Sequence, residues 1–149
     1  MMSRIVKIIC EPHFSSRFVC AMTKIANAST ILLLEDEPRV ACALAHMITT
    51  LGHAIIQVND VKLAQRVFMD HDEVDAIIAD YRMNTDITGL DFLVWARVQR
   101  PDVKRILISG QNLRTKSAEI AEVCHNFLPK PFEIVDLEDA LAAQISQAS

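Results

Sequence analysis

Glycine is scarce in this 149-residue chain, which holds only Gly52, Gly89 and Gly110. None follows the first apolar run, so dinucleotide- and P-loop-binding readings lose their main support. The four cysteines (Cys10, Cys20, Cys42, Cys124) show no CxxC spacing, and reduced thiols in a cytosolic protein are expected. Cys10, His13 and Cys20 lack a fourth ligand at zinc spacing, so their proximity reads as chance. No long hydrophobic run is present. Ile5 to Cys10 is interrupted by Lys7 and followed by Glu11 and Pro12, too short and too charged for a secretory core or a membrane span. The chain is therefore expected to be neither exported nor anchored. Nor is there an excess of positive charge. With 15 basic against 19 acidic residues, a net charge of −4 and a pI near 5.7, neither nucleic acid nor anionic membrane is an expected partner. The length fits one domain, and 51% hydrophobic with 23% charged residues is an ordinary soluble composition.

What the chain does have, from Thr30 onward, is a fivefold alternation of strand-like and helix-like patterns. A strand over 30–35 leads to a helix opened by Pro38, with Val40, Ala41, Leu44, Ile48 and Leu51 on one face and Gly52 as its stop. A second strand over 53–58 precedes a helix capped by Asn59 or Asp60, with Leu63, Ala64, Val67 and Phe68 inward. A third strand covers 74–80. The helix over 89–100 has Leu90, Leu93, Val94 and Ala96 as its buried candidates and Pro101 as its stop. Trp95 and Met83 read as packing. After a strand over 103–109, residues 112–124 form a weaker helix. Its apolar set (Ala118, Ile120, Ala121, Val123, Cys124) shifts face, which marks it as a candidate for movement. A short strand over 126–129 and a helix over 133–146, with Val135, Leu137, Ala140, Leu141 and Ile145 apolar, complete the series. Right-handed crossovers then predict an α/β fold: a doubly wound, five-stranded parallel sheet with helices on both faces. Residues 1–29 stand outside this pattern as an N-terminal extension, either disordered or containing a true start at Met22 that leaves a short MTKIANAS leader before the first strand.

Four strands end on polar residues of different kinds. ILLL runs into Glu35 and Asp36, AIIA into Asp80, ILI into Ser109 and FLP into Lys130. Ligands of open α/β sheets sit at the carboxyl ends of the strands. Three carboxylates, a hydroxyl and an ammonium meeting there are what a magnesium ion and a phosphoryl group require. Singly, each residue has a plainer reading: Asp80 as a cap, Lys130 as a snorkelling surface lysine, Phe127 as a core strand residue.

The strings ILLLEDEP, AIIADYRM, ILISG and FLPKPF occur in that order, with 44 residues from Asp36 to Asp80, 29 on to Ser109 and 21 on to Lys130. Together they resemble the receiver domain of two-component response regulators, a CheY-like, flavodoxin-like fold, over about four fifths of the chain, residues 30–149. The resemblance implies a stand-alone receiver with Asp80 as the phosphoacceptor, taking its phosphoryl group from a phosphohistidine on a sensor histidine kinase or histidine phosphotransfer protein. It implies Mg2+ as cofactor, held by Glu35, Asp36, Asp80 and the main-chain carbonyl of Arg82, with Ser109 and Lys130 completing the catalytic set. Glu35 replaces the commoner aspartate. Ser109 and Phe127 correspond to the switch pair, and the bond before Pro131 is expected to be cis. Arg82 and Gln111 fall where the family tunes hydrolysis of the acyl phosphate. The stretch between Met83 and Gly89 departs from the pattern: it lacks the familiar proline and is one residue longer. A downstream effector protein, a cytoplasmic location and a monomer or phosphorylation-dependent dimer complete the expectation. The competing classes are a non-phosphorylated docking scaffold and a haloacid-dehalogenase-type phosphohydrolase. The latter places its nucleophile after the first strand in a DxD pattern, whereas this first strand ends Glu-Asp-Glu-Pro.

Overall fold

The computed structural model describes residues 28–143. The expectations for Cys10, His13, Cys20, Met22 and Ile145 lie outside the described residues. Within them the chain runs β1 (Thr30–Leu34), α1 (Pro38–Thr50), β2 (Ala54–Val58), α2 (Val61–Asp70), β3 (Ala76–Asp80), α3 (Gly89–Gln99), β4 (Lys104–Ser109), α4 (Ser117–Val123), β5 (Asn126–Pro129) and α5 (Ile134–Ala142). The five strands form one parallel sheet in the order β2-β1-β3-β4-β5. β1, β3 and β4 are buried throughout, while the edge strands β2 and β5 are partly accessible, which is why each of the central three contains an apolar run (ILLL, AIIA, ILI).

Strand residues alternate between two cores. Ile31, Leu33, Ile78 and Ile106 pack with Leu44 and Ile48 of α1 and Leu137 and Ala140 of α5. Leu32, Leu34, Ile77 and Leu107 pack with Phe68 of α2, Leu93 of α3 and Ile120 of α4. Local chemistry sets the helix ends. Asp60 accepts the Leu63 N–H at 2.8 Å, Thr88 and Asp91 form a reciprocal capping box on α3, and Gly52 takes a φ of 87° after α1. Exposed Glu37 accepts the Arg39 N–H at the start of α1.

The expected core residue Val94 points outward, 38% exposed, and among the apolar residues of the last two helices Val135 is 55% exposed and Ala118 and Ala121 also face out. Apolar residues occupy more than one face of α3, so its periodicity does not choose between them. Phe92 is buried instead of Val94, its ring stacked 5.8 Å from Trp95 and edge-on to Phe68. Val135 lies two positions from buried Leu137, a spacing that puts it on the opposite side of α5. The weak helix over 112–124 is shorter than expected: a 3₁₀ turn, Arg114–Lys116, precedes the seven residues of α4, and neither start has a side-chain cap. No helix among the described residues is long and apolar enough to cross a membrane. Cys42 and Cys124 are free thiols, and burial pushes the Cys124 thiol up to about 12, which makes it a poor nucleophile.

The amino ends of the strands carry an unusual set of buried polar groups. Lys104 Nζ donates to the carbonyls of Leu141 and Ala143 at the end of α5. Arg105 Nε donates to Val123 O at 2.7 Å at the end of α4, and its Nη1 to Val103 O and Pro101 O. Two imidazoles accept main-chain hydrogens nearby: His53 Nδ1 from Ser29 at 3.0 Å and His125 Nδ1 from Arg105 at 3.0 Å. Burial holds both below the usual histidine value, and for His125 the Arg105 and Lys104 cations add to it. With a depressed folded-state value the native protein binds fewer protons than the unfolded chain. The stabilisation from each imidazole is therefore present above the ordinary histidine range and is lost as pH falls through the folded value. Thermal melts at pH 7.5 and 5.5 should show a larger drop for the natural chain than for His53→Asn/His125→Asn, which keeps an acceptor but cannot titrate. Equal drops would contradict this assignment.

Candidate phosphoryl-transfer site

The strand register brings the polar ends together. Leu34 lies opposite Ala79, Ala79 opposite Leu107 and Leu107 opposite Phe127. Glu35, Asp36, Asp80, Ser109 and Lys130 therefore leave the sheet one to three positions beyond a common row. That row lies at the carboxyl edge, where the chain turns outward in opposite directions from β1 and β3, the crevice in which ligands of such sheets bind.

Lys130 precedes a cis bond to Pro131, as expected, and its N–H donates to Ser109 O at 2.8 Å. Its ammonium lies 3.1 Å from Asp80 Oδ1 and 3.3 Å from Glu35 Oε2. The snorkelling alternative is thereby replaced by a two-way ion pair. Glu35 is almost fully buried, and its other oxygen accepts the Glu37 N–H at 3.0 Å. Half-buried Asp36 accepts the Asn84 N–H on Oδ2 at 2.7 Å.

Glu35, Asp36 and Asp80 each offer a ligand oxygen, all within 4.8 Å of one another. Burial raises the pKa of Glu35, the Glu37 N–H opposes it, and the charge of Asp80 raises it further. Burial also raises Asp80; Lys130 pulls it down and Asp36 pushes it up. The upward shifts survive Lys130, so the cluster is short of positive charge. Formally, three carboxylates and one ammonium leave two negative charges. An all-oxygen set of this size and charge fits a hard divalent cation such as magnesium and lacks the nitrogen or sulfur donors typical of zinc.

The remaining expected residues lie on β4 and β5 or in the loops leaving β3 and β4. Ser109 is buried, and its Oγ accepts the Gln111 N–H at 3.0 Å, which leaves its own hydrogen free to donate. Gln111 and Arg82 are exposed in the loops leaving β4 and β3. Half-buried Phe127 packs against the α2–α3–α4 core and lines a groove of about 650 Å³ with Ile120 and His125.

Gly89 makes a close approach to this site that the sequence pattern marks only faintly. A Cβ there would lie 1.9 Å from the Asp80 carbonyl oxygen and 2.8 Å from its carbon, while the Gly89 N–H donates to Tyr81 O at 3.0 Å. The first turn of α3 thus rests directly on the backbone of Asp80. The available signal was a glycine in the first turn of a helix already capped by Thr88, where glycine has no capping use and a propensity cost.

A family model described as the response regulator receiver domain matches residues 31–142. The DNA-binding transcriptional regulator NtrC of Azospirillum brasilense is 31% identical over 112 residues, 74% of this chain and 23% of that protein. The chain thus spans about a quarter of that relative's length. A receiver domain protein from Clostridium thermocellum superposes with a TM-score of 0.70 at 21% identity, covering 76% of this chain and 90% of that one. The receiver domain of the sensor histidine kinase PA1611 from Pseudomonas aeruginosa, solved with a magnesium ion coordinated in its active site cleft, superposes with a TM-score of 0.67 at 26% identity, covering 76% and 94%.

Gly89→Ala should force β3 and α3 apart at Asp80 and cost about 1–3 kcal/mol, the usual penalty for overpacking a tight contact. Chemical denaturation would measure the loss. A variant as stable as the natural chain would show that the contact is not tight.

Proposed function

This chain belongs to the response regulator receiver domain family, and we propose that it accepts a phosphoryl group on Asp80 and relays that event through its surface. The observation that carries this reading is the ammonium of Lys130, 3.1 Å from a buried carboxylate that has two further acidic groups beside it. An Asp80 oxygen attacks the phosphorus of a phosphohistidine on a sensor histidine kinase or histidine phosphotransfer protein. The new O–P bond forms as the N–P bond breaks, and the imidazole keeps the electron pair. Asp36 and Asp80, with Glu35 and the Arg82 carbonyl, are the groups that would hold magnesium. When bound, that ion supplies charge neutralisation at the phosphoryl oxygens.

Lys130 then exchanges the Asp80 carboxylate for a phosphoryl oxygen, and the Ser109 hydroxyl donates to another. That movement pulls on the loop between β4 and α4, whose residues Gln111, Asn112 and Leu113 line the groove against Phe127, so phosphorylation changes the groove presented to a downstream effector protein. Arg82 and Gln111, exposed beside the acceptor, influence how readily water reaches the acyl phosphate. A cytoplasmic location fits a phosphodonor of this kind. The receiver unit begins at residue 30.

Treatment with acetyl phosphate and magnesium, followed by mass-spectrometric mapping, should place a single phosphoryl group on Asp80. Undiminished labelling of Asp80→Asn would refute the assignment. Lys130→Ala should still be labelled, slower by no more than about a hundredfold, because transition-state charge is shared among several groups. The same variant should lose the phosphorylation-dependent change in hydrogen exchange over residues 112–132. A variant that cannot be labelled, or that switches normally, would overturn this division of roles.

A further inference from the structure

We propose that the main-chain amide of Asn84 is a positioning group for the cation site, tying one oxygen of Asp36 to the β3–α3 loop so that the other is presented to the ion. The inference rests on the magnesium reading above and extends it to a group with no side-chain signature. Asp36 lies between β1 and α1, outside any regular element, and is only half-buried. Its carboxylate shares the acidic cluster with Glu35 and Asp80, ligand oxygens all within 4.8 Å of one another. Left alone, such a side chain would turn toward water and take a ligand out of the cluster.

The Asn84 N–H prevents this. It donates to Asp36 Oδ2 at 2.7 Å across 48 residues of sequence, a length at the short end for an amide bonded to a charged acceptor. The amide is itself held in place. Met83, immediately before it, is 8% exposed and packed in the core. The loop is pinned at its start by Tyr81 N–H to Ile108 O and at its end by Gly89 N–H to Tyr81 O. A proline at position 84 would have no hydrogen to donate. The contact therefore requires a residue other than proline at this position, and the loop becomes an outer support of the metal ligand. Such supports orient ligating carboxylates, and losing one typically weakens metal binding by about ten- to a hundredfold.

Calorimetric titration of the metal-free protein with magnesium chloride tests this. Asn84→Pro should bind about tenfold more weakly, the low end of that range, because the loop is solvent-exposed. Asn84→Ala, which keeps the amide, should bind within about twofold of the natural chain. Amide hydrogen exchange in the absence of metal gives an independent readout: the Asn84 N–H should be protected, and should exchange at least about tenfold faster in Asp36→Ala. Equal affinity of Asn84→Pro and the natural chain would overturn the proposal, as would a loss in Asn84→Ala as large as in Asn84→Pro. If Asn84→Pro does not fold, the exchange measurement decides: an Asn84 rate unchanged by Asp36→Ala overturns the proposal and a faster one supports it. A natural chain that binds no magnesium would overturn the parent reading as well, whereas normal binding with an indifferent position 84 removes this inference alone.

Discussion

One ammonium standing between two buried carboxylates is the constraint on which the rest of the site depends. Removing Asp80 and Glu35 from water is costly, and at their spacing each makes the other worse. Lys130 relieves both at once, 3.1 and 3.3 Å away. Relief is incomplete, since both carboxylates keep raised pKa values. The folded chain therefore holds an unsettled charge balance at the edge of a rigid sheet. Three carboxylates facing one ammonium leave a net negative crevice, and in the proposed reading a divalent cation would offset that charge while an incoming phosphoryl group would meet an ammonium already in position. The same arrangement ties β1, β3 and β5 together across β4, so the chemistry and the closure of the sheet edge share one contact.

The fold was legible because the central strands are apolar on both faces and each stops abruptly at a residue of different chemistry. Glu35, Asp80, Ser109 and Lys130 are conspicuous for being polar where the run before them is not. Helix faces were less legible. In α3 apolar residues occupy more than one face, and it is Phe92, edge-on to Phe68 and stacked on Trp95, and not Val94, that turns inward. Lys104 and Arg105 read as an ordinary polar start to a strand. Their burial follows from two helix ends arriving above and below, which no local pattern records.

What escaped the sequence is mostly main chain. The approach of α3 to the Asp80 carbonyl needs an absent Cβ at Gly89, and the hold on Asp36 needs an N–H at position 84. Neither leaves more trace than a glycine where none is needed for turning and an ordinary asparagine in a loop. Side-chain chemistry announces the reacting groups, while the groups that aim them are read only once the chain is folded.

The buried Arg105 has a mechanical consequence. Its guanidinium fastens the last carbonyl of α4 to the far edge of the sheet, and Arg97 adds an exposed pair to Glu122 at the same end. The other end of α4 starts from a 3₁₀ turn with no side-chain cap, a few residues after Ser109. The helix is a short beam clamped at one end and uncapped at the other. Seven residues make it about 10 Å long. A displacement of about 2 Å at the Ser117 end would swing the beam through about 11° around Val123, so that a small linear shift would become a rotation of its exposed face.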